Sequence, residues 1–189
     1  MNTESFITIV TGLPRSGTSM MMQMLDAGGI PALTDGQREA DEDNPRGYLE
    51  FDKTKSLRKD NSWLPDARGN AVKVIAHLLT NLPKEEYRFI FMQRDLSEIV
   101  GSQRTMLERS GKQGARLSDE QLKNVFAKHL LDVDRILEQS QMPLLRVRYT
   151  ACIDDPEAVA ADVNRFLGGR LSEPAMAAAV DASLYRQRS

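Results

Sequence analysis

The chain has 189 residues, the size of one ordinary α/β domain, with 41% hydrophobic and 28% charged residues, the balance of a globular protein with a core. Its 25 Lys and Arg against 27 Asp and Glu give a net charge of −2, which speaks against a broad nucleic-acid or membrane-surface binder. A single cysteine, Cys152, excludes an internal disulfide, and no C-x-x-C pair or His/Cys cluster suggests a structural metal.

Phe6–Thr11 (FITIVT) is rich in β-branched residues and reads as a buried parallel strand ending at Gly12. Thr18–Ala27 follows as a helix closed by Gly28 and Gly29. Pro31–Glu50 has no clean period and reads as a long loop or lid with one short helix. It carries six acids (Asp35, Glu39, Asp41, Glu42, Asp43, Glu50) against two bases (Arg38, Arg46). Asp52–Asp60 is expected as a polar helix, Ala71–Ala76 and Tyr87–Gln93 as strands, and Leu96–Arg109 as a helix. Leu117–Gln139 is the longest helical pattern, with Ser118 and Gln121 spaced as a capping box. Leu144–Tyr149 reads as the fourth strand, Pro156–Leu167 as a helix opened by Asp155-Pro156, and Ser172–Tyr185 as the last helix. Alternating strands and helices predict right-handed crossovers and a three-layer α/β domain with a mostly parallel sheet over residues 1–189. No segment has the roughly 18 apolar residues of a bilayer span, and no signal-peptide pattern opens the chain, so a cytoplasmic protein is expected.

The sharpest feature is Gly12-Leu13-Pro14-Arg15-Ser16-Gly17-Thr18-Ser19 between the first strand and the first helix. Two glycines five positions apart let the backbone wrap inward, and the helix start then offers free N–H groups to an anion. The spacing is that of a nucleotide-phosphate loop, G-x-x-x-x-G-K-[ST], except that Thr18 stands where the lysine belongs and the cation comes earlier, at Arg15. The strand Tyr87–Gln93 runs into Arg94 instead of the acid that holds Mg²⁺ in ordinary nucleoside triphosphatases, although Asp95 is adjacent.

Gly12–Ser19 resembles the 5′-phosphosulfate loop of the sulfotransferases that use 3′-phosphoadenosine-5′-phosphosulfate (PAPS), and Met24–Ala27 is similar to the helix that follows it in the tyrosylprotein branch. The resemblance implies a P-loop fold and sulfuryl transfer from PAPS with no metal requirement. The donor would lie on Pro14, Arg15, Ser16, Gly17, Thr18 and Ser19, with Arg15 catalytic at the bridging oxygen. A fixed guanidinium there stabilises the charge that grows on the departing phosphate. Arg94 and Ser102, eight residues apart, match the family's 3′-phosphate motif, and two helical turns can bring Ser102 back to the strand end. Arg94 also has local partners in Asp95 and Glu98. Val147-Arg148-Tyr149, Asp154-Asp155-Pro156-Glu157 and Phe166-Leu167-Gly168 resemble the family's later patch, which makes Tyr149 an adenine contact or a core-edge tyrosine. Thr150 replaces the acid found there in relatives, and Met20 stands where many cytosolic members carry an adenine-stacking Trp.

Branches of the family use a histidine or a glutamate as base, which makes His77 and Asp35 the candidates, with Glu39 and Glu42 close alternatives to Asp35. In a continued strand, Lys73 and His77 would face the same side; Asp35 lies where the tyrosylprotein branch has its base. His77 packed near Leu78-Leu79 and a solvated acidic lid are the bland alternatives. Met21, Met24 and Leu25 share a helical face suited to packing under the sheet. Trp63 and Tyr48 are possible acceptor-site aromatics, and the basic Tyr185-Arg186-Gln187-Arg188 is either a phosphate contact or a frayed end. The acceptor is expected to be a small molecule, carbohydrate or peptide. A P-loop small-molecule kinase or nucleoside triphosphatase, and a non-catalytic nucleotide-binding module, are the other readings of the same loop.

Overall fold

The structure is a computed structural model that describes residues 5–41, 44–109, 111 and 117–186. Four strands, β1 (Ile7–Gly12), β2 (Ala71–Lys73), β3 (Tyr87–Gln93) and β4 (Leu144–Arg148), form one sheet in the order β2-β1-β3-β4. Every pairing is parallel, with Ile9 opposite Val72 and Phe89, and Phe91 opposite Arg146. Six helices are described: α1 (Thr18–Gly28), α2 (Leu96–Arg109), α3 (Asp119–Ser140), α4 (Tyr149–Asp154), α5 (Pro156–Leu167) and α6 (Glu173–Ala178).

Alternate strand residues feed two separate cores, because successive side chains leave opposite faces of a strand. Val10, Ile90, Met92 and Val147 join Met21, Met24 and Leu25 of α1, Val163 and Leu167 of α5 and Met176 of α6. Ile7, Ile9, Phe89 and Phe91 face the other way, onto Val133 and Leu137 of α3 and onto Leu57, Trp63, Leu64 and Leu79. Three of the four methionines of α1 thus serve packing, Met21, Met22 and Met24 being fully buried, while Met20 lines a cleft at the strand ends.

Local signals set most element ends. Ser118 and Gln121 make the expected reciprocal cap on α3, Asp155 caps α5 through Ala158 N, and Gly29 and Gly168 close α1 and α5 in the left-handed region.

Several expectations are corrected. β2 stops at Lys73 and the chain turns into a 3-10 segment, Ala76–Asn81, so Lys73 and His77 share no strand face and His77 is exposed. Asp52–Asp60 is a 3-10 turn over Asp52–Ser56 and not a helix. The expected fourth strand ends one residue early, and Tyr149 opens α4. The last helix is only Glu173–Ala178, followed by a 3-10 turn at Ala182–Leu184. The described part of Pro31–Glu50 holds no helix; it has two isolated bridges, Ala32 with Ala71 and Asp41 with Asn44.

Phe91 is fully buried in a central strand, whereas Leu131 on α3 is 67% exposed. Phe91→Ala is expected to cost about 3–5 kcal/mol in urea unfolding, and Leu131→Ala to stay within about 0.5 kcal/mol of the parent.

Candidate functional site

Because the sheet is parallel, the carboxyl ends of all four strands lie along one edge, the usual place for a ligand cleft in an open α/β sheet. A cleft of about 280 Å³ runs there, lined by the loop after β1, Lys73 at the end of β2, Arg94 after β3 and Tyr149 after β4. Its far walls are Ser102, Gln103, Met106 and Arg109 of α2, Tyr48 and Glu50 of the 31–50 loop, and Asp181, Leu184 and Arg186 of the C-terminal segment. Among the described residues, six basic and two acidic side chains line it, although the chain as a whole is acidic.

The loop makes its turn with two left-handed residues, Arg15 (φ 68°) and Gly17 (φ 98°). Gly17 is the N-cap of α1 and no side chain caps the helix, so its first N–H groups face the cleft end of the loop. A Cβ at Gly12 would meet Ser16 Oγ at 2.4 Å, and one at Gly17 would meet the Tyr149 ring at 2.5 Å. Ser16 is buried and its hydroxyl has no hydrogen-bond partner. Pro14, Arg15, Gly17, Thr18 and Ser19 all line the cleft.

Arg15 and Ser102 come together in a pairing the spacing did not indicate, while Arg94 takes Glu98, one of its two expected local partners. Arg15 Nε donates to Ser102 Oγ at 2.9 Å. Arg94 Nε donates to Glu98 at 2.9 Å, and its Nη1 donates to the Arg15 carbonyl at 3.1 Å. Glu98 also accepts from the Tyr185 hydroxyl at 2.6 Å. The Arg94 guanidinium lies 4.2 Å from the Tyr149 ring centroid, and Tyr149 meets Tyr185 edge-on at 5.3 Å. Tyr149 is only 6% exposed, and burial pushes its phenol above the ordinary value.

A second cluster sits beside Ser19. Lys73 Nζ donates to Ser19 Oγ at 3.1 Å and to Glu50 Oε1 at 3.0 Å, and Arg38 Nη1 reaches the same oxygen at 2.8 Å. Arg38 also lies 3.3 Å over the Tyr48 ring, whose hydroxyl sits 2.8 Å from both oxygens of Asp41. The Lys73 side chain is 10% exposed, and burial draws its ammonium below the ordinary 10.5 while Glu50 partly offsets this.

Neither base candidate reaches the cleft. His77 projects from the exposed turn after β2, and Asp35 is spent inside its own loop. The Asp35 carboxylate accepts from Asp52 N at 2.6 Å and Gln37 N at 3.1 Å, and the Asp52 bond chiefly lowers its pKa. Glu39 is exposed and does not line the cleft, Trp63 is buried in the core, and Glu42, Gln187 and Arg188 lie outside the described residues. Of the described acids of the 31–50 stretch, Glu50 is the one that lines the cleft, and it was one of six acids in an aperiodic stretch. Only its position just before the 3-10 turn, outside the acidic cluster, sets it apart in sequence.

No protein-family model matches the chain, and no curated protein is significantly similar to it in sequence. Solved structures do resemble it. The sulfotransferase domain from the curacin biosynthetic pathway superposes with a TM-score of 0.55 at 14% identity, covering 95% of this chain and 88% of that one. The sulfotransferase domain of the Synechococcus PCC 7002 olefin synthase gives 0.54 at 15% identity, over 95% and 78%. A sulfotransferase from Alicyclobacillus acidocaldarius gives 0.53 at 16% identity, over 89% and 82%. At such identities the likeness is one of fold: the chain has the P-loop-like α/β fold of sulfotransferase domains.

Gly17→Ala is expected to lower Tm by several degrees in thermal unfolding, since it forces a side chain into a left-handed residue and against Tyr149. Lys73 gives a pH test. The unfolded chain keeps this proton up to the ordinary 10.5 while the folded one loses it earlier, so Lys73 adds stability as pH rises through that interval. Comparing urea unfolding of the parent and Lys73→Met across it should show this increment in the parent alone.

Proposed function

We propose that the chain is a sulfotransferase moving a sulfuryl group from 3′-phosphoadenosine-5′-phosphosulfate to a hydroxyl or amine of its acceptor. The observation that carries this is the loop itself. An uncapped helix start, a left-handed Arg15 and a closely packed Gly17 form an anion cradle whose cation precedes the helix, on the fold of sulfotransferase domains. The donor fits this cradle on two counts: the Ser16 hydroxyl is a buried polar group without a partner, and Gly12 and Gly17 have no room for a side chain.

In this reading the α1 N–H groups and Arg15 hold the 5′-phosphosulfate, with Ser102 orienting Arg15 through their hydrogen bond. Arg94, braced by Glu98, provides for the 3′-phosphate, and Tyr149 forms the wall beneath it. The acceptor oxygen attacks sulfur in line, the bond from sulfur to the bridging phosphate oxygen breaks, and adenosine 3′,5′-bisphosphate departs. Arg15 stabilises the charge that builds on the leaving phosphate. The acceptor proton passes to Glu50, whose Oε1 is held by Arg38 and Lys73 while Oε2 accepts no hydrogen bond among the described residues. The Lys73 ammonium, between Ser19 and Glu50, is placed to meet a sulfuryl oxygen as negative charge spreads over the group.

A kinase reading of the loop is weaker. Asp95, the acid nearest the β3 end, accepts from Ser97 N at 2.7 Å and Glu98 N at 3.3 Å, so it starts α2 and does not line the cleft.

Adenosine 3′,5′-bisphosphate is expected to stabilise the chain by about 2.7 kcal/mol at a hundred times its Kd, and ATP–Mg²⁺ to do so less. Arg15→Ala and Arg94→Ala should each weaken binding on the order of 10- to 100-fold. Equal stabilisation by ATP–Mg²⁺, or an Arg94→Ala variant that binds like the parent, rejects the two-phosphate model. With ³⁵S-labelled PAPS and an accepted acceptor, Glu50→Gln is expected to lower kcat by about 10²–10⁴ with donor affinity retained. Donor binding with no labelled product from any acceptor would point instead to a binding module.

A further inference from the structure

We infer that the part of the cleft between the 31–50 loop and α2 is an acceptor subsite built around the Asn44 amide, and that it takes a polyhydroxylated acceptor, a sugar or a cyclitol. The inference rests on the sulfuryl-transfer reading above. With Arg94 and Tyr149 beyond β3 and β4 given to the donor, the strand order leaves Lys73 on the opposite side of the loop, where it donates to Glu50 and the Tyr48 carbonyl, and Asn44 enters the same cleft from the 31–50 loop, held by Gln23 of α1.

Asn44 lies on the cleft wall and is 6% exposed. Its orientation is fixed by a short chain of hydrogen bonds. Gln23 Nε2 donates to the Gly47 carbonyl at 3.0 Å, which sets which way round the Gln23 amide sits. The same nitrogen donates to Asn44 Oδ1 at 3.0 Å, so Asn44 Nδ2 is turned away from Gln23, and it has no partner. From α2, Gln103 also lines the cleft, and its buried Oε1 is an acceptor without a partner.

Buried polar groups are ordinarily paired, and leaving one unpaired carries a desolvation cost that a ligand pairing it recovers. These two atoms ask for opposite things, an oxygen lone pair at Asn44 and an O–H at Gln103. The reacting hydroxyl has to be delivered to Glu50. One small molecule meets all three needs when it carries several hydroxyls, each able to donate or accept, and an isolated phenol or alkanol has only the one that reacts.

The test uses the full chain loaded with adenosine 3′,5′-bisphosphate and follows the Asn44 and Gln103 side-chain amide resonances by ¹⁵N NMR. Methyl glucoside and myo-inositol are titrated against cyclohexanol and phenol as single-hydroxyl controls. The polyols are expected to shift both amides and the controls to leave them in place. In turnover, Asn44→Ala should raise KM for the accepted polyol about tenfold, the value of one hydrogen bond, with kcat nearly unchanged and nucleotide affinity intact. Equal shifts with cyclohexanol or phenol, amides unmoved by the polyols, or an Asn44→Ala variant that loses nucleotide affinity instead would each overturn the acceptor assignment. Failure of the nucleotide itself to bind would overturn the sulfuryl-transfer reading beneath it.

Discussion

The close approach of the Tyr149 ring to Gly17 is the contact on which the cleft depends. At that point the first strand must turn into α1 while the start of α4 crosses directly over the turn, and only a residue without a side chain leaves room. The same residue has to be left-handed to begin α1 with no side-chain cap. Packing and anion binding are therefore one arrangement: the ring that packs against Gly17 lines the same cleft as the uncapped start of α1. Arg15 completes it by adopting a left-handed backbone while its own side chain is tied to Ser102 of α2, a local strain of the kind that neighbouring contacts must hold in place.

Electrostatics divides the cleft into two regions around this turn. Toward β4, the Arg94–Glu98 pair is nearly buried and is tied to the C-terminal segment by the Tyr185 hydroxyl. A pair so enclosed gives less net stability than its geometry suggests, because both charges have been taken out of water. Its effect is to fix where a guanidinium sits, with carboxylate, carbonyl and aromatic ring each holding one aspect of it. Toward β2, Glu50 draws Arg38 and Lys73 onto one oxygen and holds the end of the long loop against the end of β2, from which Lys73 also reaches Ser19 of α1. The 31–50 loop thus reaches the cleft through a few ion pairs and hydrogen bonds from Gln23 and Lys73.

The strands and major helices were legible because their signals are local. A β-branched run ending at glycine, a capping box at Ser118 and Gln121, and Asp155-Pro156 before an apolar period each specify an element with little help from the rest of the chain. The short pieces were not legible. Whether Ala71–Ala76 continues as a strand depends on having a neighbour to pair with, and β1 offers its partners only as far as Lys73. Within the candidate site, the phosphate loop could be read from its spacing, and Arg94 and Ser102 from theirs. The i,i+4 spacing made Glu98 one of two local partners for Arg94, whereas the Arg15–Ser102 pairing could not be read until α2 was set against the loop.

From sequence alone came an α/β chain with a glycine-rich anion loop after its first strand, because hydrophobic period and backbone freedom act over a few residues. Only the tertiary structure decided that His77 and Asp35 stand away from the cleft while Glu50, Lys73 and Asn44 line it. The reason is geometric: an aperiodic acidic stretch has no face of its own, and which of its carboxylates meets the cleft is fixed by the edge of the sheet it is folded against.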